Sequence, residues 1–168
     1  MIRSANNADT EKITSLVFDV LRDYGLKPDP ETTDADLNDI EASYQERGGC
    51  FDVLTNDHGE IIGTVGVFPL ENGHCELRKM YLHRDERGKG LGRLLVEHAL
   101  RRSSELGFTL MILETASVLK EAISLYEKCG FRPYKSEHLS ERCDQSYIKE
   151  IAPNNRLQPT SLRSAADE

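Results

Sequence analysis

Apolar residues in the first third of the chain recur at helical spacing. Residues 8–24 carry one every three or four positions, which predicts an amphipathic helix with Asn7 or Asp9 as its cap. A shorter helix is predicted for residues 35–46, where Thr33 and Asp36 resemble a capping signal. The residues that define the two apolar faces are Ile13, Leu16, Val17, Val20 and Leu21 in the first helix and Leu37, Ile40 and Tyr44 in the second.

The pattern then changes to short apolar runs separated by turn residues. Runs at 51–54, 61–68 and 75–82 predict three strands. Asn72 and Gly73, between the second and third runs, predict a hairpin because both central residues of its turn need a positive φ. The three strands therefore form a predicted antiparallel meander.

A strand–helix–strand unit follows the meander. After a polar loop that contains glycines, apolar residues at helical spacing begin at Leu91 and end near Gly107. The almost continuous apolar run that starts at Phe108 predicts a strand covered on both faces. Because a helical crossover connects parallel strands, we expect strands 76–82 and 108–115 to be parallel.

The rest of the chain adds one helix and two strands. Residues 118–129 are predicted to be helical, and residues 131–134 and 146–151 are predicted to form a pair of strands. Residues 152–168 show no apolar periodicity, so we predict a flexible tail outside the fold. This order of elements predicts a mixed α/β (α+β) fold with residues 1–151 as one domain.

Charge is distributed unevenly along the chain, which has a net charge of −8. Residues 1–60 hold 14 acidic and 5 basic residues, a net −9, whereas residues 78–102 hold 8 basic and 3 acidic residues, a net +5. A nucleic-acid-binding domain is usually basic, so this balance disfavours nucleic acid as a partner. It favours a site for one compact anion within 78–102, although a solvated charged surface gives the same pattern.

The composition indicates a cytoplasmic globular protein. Apolar residues make up 38% and charged residues 30% of the chain, which excludes collagen-like and wholly disordered sequences. The longest apolar runs, such as residues 110–113, are too short to span a bilayer, and the first residues lack an apolar core of signal-peptide length. We therefore expect no membrane association. The 4 cysteines form no CxxC pair and have no histidine at ligand spacing, so no metal site is predicted.

The loop at residues 87–93 carries the most specific chemistry. It lies between the end of a predicted parallel strand and the start of a helix, where open α/β sheets bind their ligands. Its glycines let the backbone approach a ligand closely, and the helix start adds free N–H donors and a partial positive charge. We therefore predict a phosphate or pyrophosphate site with Arg87, Lys89 and Arg93 as countercharges.

Two other nucleotide-binding motifs fit this loop less well. A P-loop needs GxxxxGK[ST], whereas Lys89 lies between glycines and no Ser or Thr follows it. A dinucleotide-binding fold needs GxGxxG, whereas Gly88, Gly90 and Gly92 occur at every second position.

Written as Arg-x-x-Gly-x-Gly, segment 87–92 resembles the acetyl-CoA pyrophosphate loop of the GNAT superfamily of N-acetyltransferases. Residues 75–82 resemble the family's fourth strand, residues 113–115 the end of its fifth strand, and residues 122–131 its A-I-x-L-Y-x-x-x-G-F motif. Roughly residues 1–151 follow the family's order of elements. The resemblance implies the GNAT fold, a mixed central sheet with an antiparallel meander and a parallel, splayed strand pair, flanked by about four helices.

The resemblance also implies acetyl-CoA as the acyl donor, bound between the splayed strands. In the family, the strand backbone pairs with the pantetheine arm and helps to hold the thioester carbonyl, which assigns Met80, Tyr81 and Leu82 to this role. The loop amides hold the pyrophosphate, and the residues assigned to them are Arg87, Gly88, Lys89, Gly90, Leu91, Gly92 and Arg93. Many members carry an asparagine seven residues before the family's tyrosine, and this position is Leu119 here.

Three residues are candidates for proton transfer. Tyr126 matches the family's usual general acid, which protonates the departing CoA thiolate, although its apolar helix face also fits a core aromatic. An amine acceptor must lose a proton before it attacks, so a carboxylate is needed as the base. Glu114 matches the proton acceptor of the ribosomal-protein alanine acetyltransferases, and Glu76 matches a base of histone-type members. Both glutamates also fit salt-bridged residues at strand ends.

The activity that the resemblance implies is N-acetyl transfer to a primary amine by direct attack in a ternary complex. The acceptor is a small amine, an amino acid or a peptide amine. The sequence leaves open whether the chain forms a homodimer. Acids near the family's acceptor wall, namely Asp34, Asp36, Asp39 and Glu41, are expected to attract a cationic amine, although solvated helix surfaces explain them equally well. The alternative function is a non-catalytic acyl-CoA-binding regulatory module on the same fold.

Overall fold

The structure is a computed structural model that describes residues 1–154. Its strands are β1 (Ile2–Ser4), β2 (Cys50–Thr55), β3 (Ile61–Pro69), β4 (His74–Leu82), β5 (Leu110–Thr115), β6 (Arg132–Pro133) and β7 (Gln145–Glu150). They form one sheet in the order β1-β2-β3-β4-β5-β7-β6. The predicted mixed α/β fold is confirmed. Most of the predicted tail, from residue 155 onward, lies outside the described residues.

The α-helices of this part of the chain are α1 (Thr10–Asp23), α2 (Leu91–Glu105) and α3 (Lys120–Lys128). None of these described helices has both the length and the apolar character needed to cross a membrane. Two apolar clusters cover opposite faces of the sheet, because Leu54 packs in one cluster and its neighbour Val53 in the other. The helices therefore bury the sheet from both sides.

The antiparallel meander β2-β3-β4 has the pairing that the sequence predicts. At its second turn, Asn72 has a φ of 59° and Gly73 a φ of 74°, as the predicted hairpin requires. The sequence analysis missed β1, which pairs with β2 from Ile2 opposite Leu54 to Ser4 opposite Asp52. Three residues are too few to show an alternating pattern.

The parallel strands β4 and β5 separate along their length. They pair only from His74 opposite Leu110 to Glu76 opposite Ile112. Beyond Glu76, β4 continues to Leu82 beside β3, while β5 pairs with β7 over its whole length. The predicted splayed pair is therefore present, and the gap opens at the carboxyl ends of the two strands.

A β-bulge deforms β4 beside this gap. Thr64 lies opposite Tyr81 and Gly66 lies opposite Arg78, so β4 contains one residue more than β3 in this stretch. Lys79 in the bulge has a φ of 52°, a left-handed conformation that is rare outside glycine and asparagine. The Thr64 hydroxyl donates a hydrogen bond to the Lys79 carbonyl at 2.6 Å, which fixes the bulge.

The predicted continuous helix over residues 35–46 is wrong. The Asn7 side-chain oxygen accepts hydrogen bonds from the amides of Ile40 and Glu41, and the Asp39 carboxylate accepts one from the Ala42 amide. These side chains replace helical backbone bonds and stabilise an extended Asp39. The segment consists of a 3₁₀ turn, Ala35–Asn38, and a π turn, Glu41–Gln45.

The cap of the first helical region also differs from the prediction. Asp9 occupies the N-cap position of α1 but makes no side-chain capping bond there, and the capping bond comes from Asn6, whose side chain accepts from the Ala8 amide. Asp9 completes the capping box by accepting from the Asn6 amide. The Asn7 side-chain amide instead donates a hydrogen bond to the Asp39 carboxylate.

Candidate active site

A cleft of about 540 Å³ opens where β4 and β5 separate. It brings together most of the residues that the sequence predicts for the site, namely Glu76, Met80, Tyr81, Leu82, Arg87, Gly88, Gly90, Gly92, Arg93, Glu114 and Tyr126. Two predicted residues do not line it. The Lys89 ammonium pairs with Glu86 at 3.0 Å, and Leu91 packs against the core. Leu119 does line the cleft, where many family members have asparagine.

The glycines of the loop after β4 leave open space beside the backbone. Gly88 and Gly90 have φ values of 75° and 79°, and a Cβ atom added to either would meet no atom within 4 Å. Gly92 has a different role, because a Cβ there would come within 3.1 Å of Leu125 on α3. The first two glycines therefore give a ligand access to the backbone, and the third lets α2 and α3 pack closely.

The start of α2 has no side-chain cap. Gly90 occupies the capping position without a side-chain hydrogen bond, and the first turn contains no acidic residue. The Leu94 amide donates to the Gly90 carbonyl at 3.2 Å, so the N–H groups of residues 91–93 precede the helical hydrogen bonds. Such a helix start is suited to bind an anion.

The predicted countercharges of the loop are paired with carboxylates. Surface ion pairs of this kind contribute little to stability and are screened by salt. An incoming phosphate can therefore compete for the cations at low cost. The pairs are Arg87 with Asp23 at 3.4 Å, Lys89 with Glu86 at 3.0 Å and Arg93 with Glu97 at 2.8 Å.

Tyr126 lies on α3 with only 7% of its surface exposed. Its ring packs edge-to-face against Phe131, with 5.9 Å between the ring centroids. Burial raises the pKa of the Tyr126 phenol above its ordinary value, and the nearby Tyr81 and Cys143 raise it further. The phenol is therefore protonated at neutral pH and can donate a proton into the cleft.

Glu76 and Glu114 lie on the same face of the sheet, because Glu76 is level with Ile112 and Glu114 is two residues further along β5. The Glu76 carboxylate accepts a hydrogen bond from the Arg78 guanidinium at 3.0 Å. The Glu114 carboxylate accepts one from the Ser140 amide at 3.2 Å. Among residues 1–154, no three His, Cys, Asp or Glu side chains are grouped as metal ligands would be.

The acids expected to attract a cationic acceptor already have partners within the fold. Asp34 and Asp36 form a buried ion cluster with Lys79 and Arg142. The partners of the other two acids are on the first helical region, where Asp39 accepts from the Asn7 side chain and Glu41 from the Asn7 amide. These carboxylates therefore hold the second segment in place, and attraction of a cationic acceptor by them stays a prediction from the sequence.

Several cleft residues were not predicted from the sequence. They come from the segment after α1 and from the segment before β7, and they are Thr32, Thr33, Ser140, Arg142 and Cys143. The sequence suggested only a helix cap at Thr33, and nothing in either segment indicated a place in the cleft. Only the tertiary fold places them opposite the glutamates.

Residues 14–131 match the Acetyltransferase (GNAT) family. The chain belongs to this family. It is 38% identical over 136 residues to an uncharacterized N-acetyltransferase of Escherichia coli, which covers 78% of this chain and 81% of the relative. It is 31% identical over 125 residues to an uncharacterized N-acetyltransferase of Schizosaccharomyces pombe, with 74% of this chain and 77% of the relative covered. This GNAT protein is therefore an acyltransferase of the N-acetyltransferase type.

Solved structures show the same fold. An acetyltransferase of the GNAT family from Staphylococcus aureus superposes with a TM-score of 0.84 at 24% identity, covering 90% of this chain and 99% of that one. A phosphinothricin acetyltransferase from Sinorhizobium meliloti, in complex with AcCoA, has a TM-score of 0.73 at 20% identity and covers 96% and 93% of the two chains. At these sequence identities, the two superpositions show that this GNAT protein shares the fold of the solved structures.

Proposed function

We propose that this GNAT protein transfers the acetyl group of acetyl-CoA to a primary amine by direct attack in a ternary complex. The observation that carries the proposal is the splayed strand pair, whose gap is continuous with the glycine loop and the uncapped start of α2. A related fold that was solved with AcCoA supports the choice of acyl donor.

The residues present fit the chemistry of this donor. The open backbone at Gly88 and Gly90 and the N–H groups of residues 91–93 suit a pyrophosphate. Arg87 and Arg93 line the same part of the cleft and supply positive charge. The pairing of β4 with β5 ends at Glu76, so among the described residues β5 leaves the backbone of residues 80–82 open to an extended arm. Together these groups would hold the donor along β4.

Bound acetyl-CoA supplies an acetyl group activated as a thioester. A carboxylate of the protein takes the proton that the acceptor ammonium must lose, so that the amine can form the new C–N bond. Backbone N–H groups at residues 80–82 stabilise negative charge on the carbonyl oxygen. As the C–S bond breaks, Tyr126, whose phenol is protonated at neutral pH, gives its proton to the sulfur, and the extra proton that the new amide nitrogen still carries restores the phenol.

We assign the base to Glu114, with Glu76 as the second candidate. The Glu76 carboxylate is already neutralised by the Arg78 guanidinium, which is stacked 3.7 Å from the Phe68 ring centroid. Within residues 1–154, Glu114 receives a hydrogen bond from the neutral Ser140 amide and forms no ion pair. A carboxylate without a cationic partner is the better placed of the two to accept a proton from an ammonium group.

The two glutamates also indicate the class of acceptor. Both line the cleft, and the Glu114 carboxylate, which is bonded to a neutral amide, offers negative charge where a cationic primary amine must be deprotonated. We propose a small amine, an amino acid or a peptide amine as the acceptor. Cytoplasmic location, a homodimer and the lack of nucleic-acid and membrane partners stay predictions from the sequence.

The test is release of free thiol from acetyl-CoA with a panel of amines consisting of spermidine, L-lysine, L-glutamate, phenylethylamine, hydroxylamine and a short peptide. An acetyltransferase releases CoA with at least one of them, and Glu114→Gln then lowers kcat more than Glu76→Gln does. Binding of acetyl-CoA without thiol release from any amine would instead favour the non-catalytic acyl-CoA-binding module.

A further inference from the structure

The buried ion cluster consists of two carboxylates and two cations with almost no exposure to solvent. The Lys79 ammonium lies 3.2 Å from both Asp34 and Asp36. The Arg142 guanidinium donates two hydrogen bonds to the Asp34 carboxylate, at 2.7 and 2.6 Å. The exposed fractions of the side chains are 0% for Asp34, 5% for Lys79, 8% for Asp36 and 14% for Arg142. The formal charges cancel.

Neutral groups also donate hydrogen bonds to the cluster. The Asp29 amide donates to Asp34 at 2.8 Å, and the buried Tyr44 hydroxyl donates to Asp36. Burial opposes ionisation of Asp34, but the bonds from Arg142 and the Asp29 amide, together with the charge of Lys79, lower its pKa overall. A cluster with these partners is fixed in one geometry, since each lost partner would leave a buried charge.

The cluster joins three segments that are distant in sequence and that meet at the cleft. Asp34 and Arg142 are 108 residues apart, and the Lys79 ammonium also donates to the Thr33 carbonyl at 3.1 Å. The segment of Asp34 presents Thr33 to the cleft, and the segment of Arg142 presents Ser140. The Ser140 amide donates to the Glu114 carboxylate at 3.2 Å, and Glu76, near the start of β4, lies far along the strand from the glycine loop that follows Leu82.

Lys79 adopts a backbone conformation that is unfavourable for lysine, which indicates that the contacts of its side chain matter at this position. A φ of 52° disfavours lysine, for which glycine or asparagine would be the usual residue. The bulge turns this long side chain into the protein, where its ammonium contacts both carboxylates. The same bulge precedes residues 80–82, the backbone proposed to hold the thioester.

We infer that Lys79 and Arg142 are positioning residues for the acceptor. Two segments, which contain Asp34 and Arg142, line the amine side of the cleft. Through Asp34 and Asp36, the two cations hold these segments against the bulge of β4. The inference rests on the proposed function, because it assigns this end of the cleft to the amine. It places neither side chain on the reacting atoms.

The first experiment compares Arg142→Gln and Arg142→Lys with Arg3→Gln. Arg3 is a matched control, since it forms a two-bond pair with Asp9 at 2.8 Å and does not line the cleft. For the fastest amine of the panel, Arg142→Gln is expected to raise KM about tenfold or more, because a wall displaced by about 1 Å loses the bound geometry. The Kd of acetyl-CoA from calorimetry should stay within about twofold, as its proposed phosphate site lies on another element.

The conservative variant Arg142→Lys distinguishes a positioning role of Arg142 from a role in stability alone. Arg142→Lys keeps the charge and should recover most of the KM, whereas Arg3→Gln should lower the Tm without changing the KM. If Arg142→Gln lowers the Tm but leaves the amine KM and kcat unchanged, the positioning role is refuted. If Arg142→Gln does not fold, the charge-neutral double variant Asp34→Asn/Arg142→Gln takes its place in the comparison.

A second readout does not depend on catalysis. Amide hydrogen exchange of the protein without ligand should accelerate in residues 29–36 and also in 138–143 when Arg142 is changed to Gln, but in neither segment for Arg3→Gln. Unchanged exchange in both segments would overturn the inference even if no amine in the panel reacts. Failure of the wild-type protein to bind acetyl-CoA would overturn the proposed function instead, so the two failures are distinguishable.

Discussion

Two groups of charged side chains border the cleft, and they differ in how the fold holds them. In the glycine loop, Arg93 and the neighbouring Lys89 pair with carboxylates three or four residues away, and 60% and 56% of their side chains are exposed. Arg87 pairs with Asp23 at 3.4 Å, and 25% of its side chain is exposed. In the buried ion cluster, Asp34 and Arg142 come from segments 108 residues apart, and their side chains are 0% and 14% exposed. The same kinds of charge are therefore loosely paired at one end of the cleft and fixed at the other.

The difference suggests different uses of charge. Exposed pairs are easily exchanged, so the loop can release its carboxylates when a phosphate arrives. Buried pairs are costly to break, so the cluster cannot open for a ligand and instead fixes the geometry of the wall. The charges of the glycine loop are available to bind a ligand, whereas the charges of the buried ion cluster fix the shape of the other end of the cleft.

The largest expected effect is on the free energy of unfolding, which should differ between variants of Lys79 and Lys89. Lys79→Met leaves the carboxylates of Asp34 and Asp36 without their shared cation and should lower the free energy of unfolding by about 3–5 kcal/mol. Lys89→Met removes an exposed pair and should leave it almost unchanged. Urea denaturation of both variants measures the difference. Equal losses would contradict the contrast between the two regions.

The next effect concerns catalysis. Tyr126→Phe should lower kcat about tenfold or more and leave the affinity for acetyl-CoA nearly intact, because only the proton donor is lost. Tyr147→Phe is the matched control, since Tyr147 is also buried and donates to Glu127 at 3.2 Å away from the cleft. Steady-state thiol release measures both. An unchanged kcat in Tyr126→Phe would remove this residue from its proposed role.

The smallest effect is the acid dependence of the cluster. Because the pKa of Asp34 is lowered in the folded state, its contribution to stability is present above the unfolded value, near pH 4, and is lost as the pH falls through the folded value. Asp34→Asn should therefore show a shallower loss of stability between about pH 4 and pH 2. Asp57→Asn, which changes an exposed carboxylate outside the cluster, is the control. Identical slopes for all three proteins would contradict the assignment.

The loop was predictable because its chemistry is local. Seven consecutive residues, a preceding strand and a following helix contain all that its anion site needs. Tyr126 and Glu114 were found through the family resemblance, and the structure places both at the cleft. The strand–helix–strand order predicts that β4 and β5 are parallel, and the gap between them was implied by the family resemblance.

The cluster was not predictable because its partners meet only in the tertiary fold. Asp34 and Asp36 had the appearance of surface acids, since nothing in the sequence reveals that Lys79 and Arg142 neutralise them. The broken helix over 35–46 has a similar cause, because the Asn7 side chain, 33 residues from Ile40, replaces its backbone bonds. Long-range polar contacts of this kind leave no periodic pattern.

The most direct test of the account is calorimetry of acetyl-CoA with the wild-type protein, Gly90→Ala and Gly59→Ala. The two glycines are matched, with φ values of 79° and 77° and no atom within 4 Å of an added Cβ, so both variants carry the same backbone strain. The account predicts that acetyl-CoA binds the wild type and Gly59→Ala alike and binds Gly90→Ala at least about tenfold more weakly, because the Cβ occupies the space kept for the pyrophosphate. Equal binding to all three proteins, or no binding to the wild type, would contradict it.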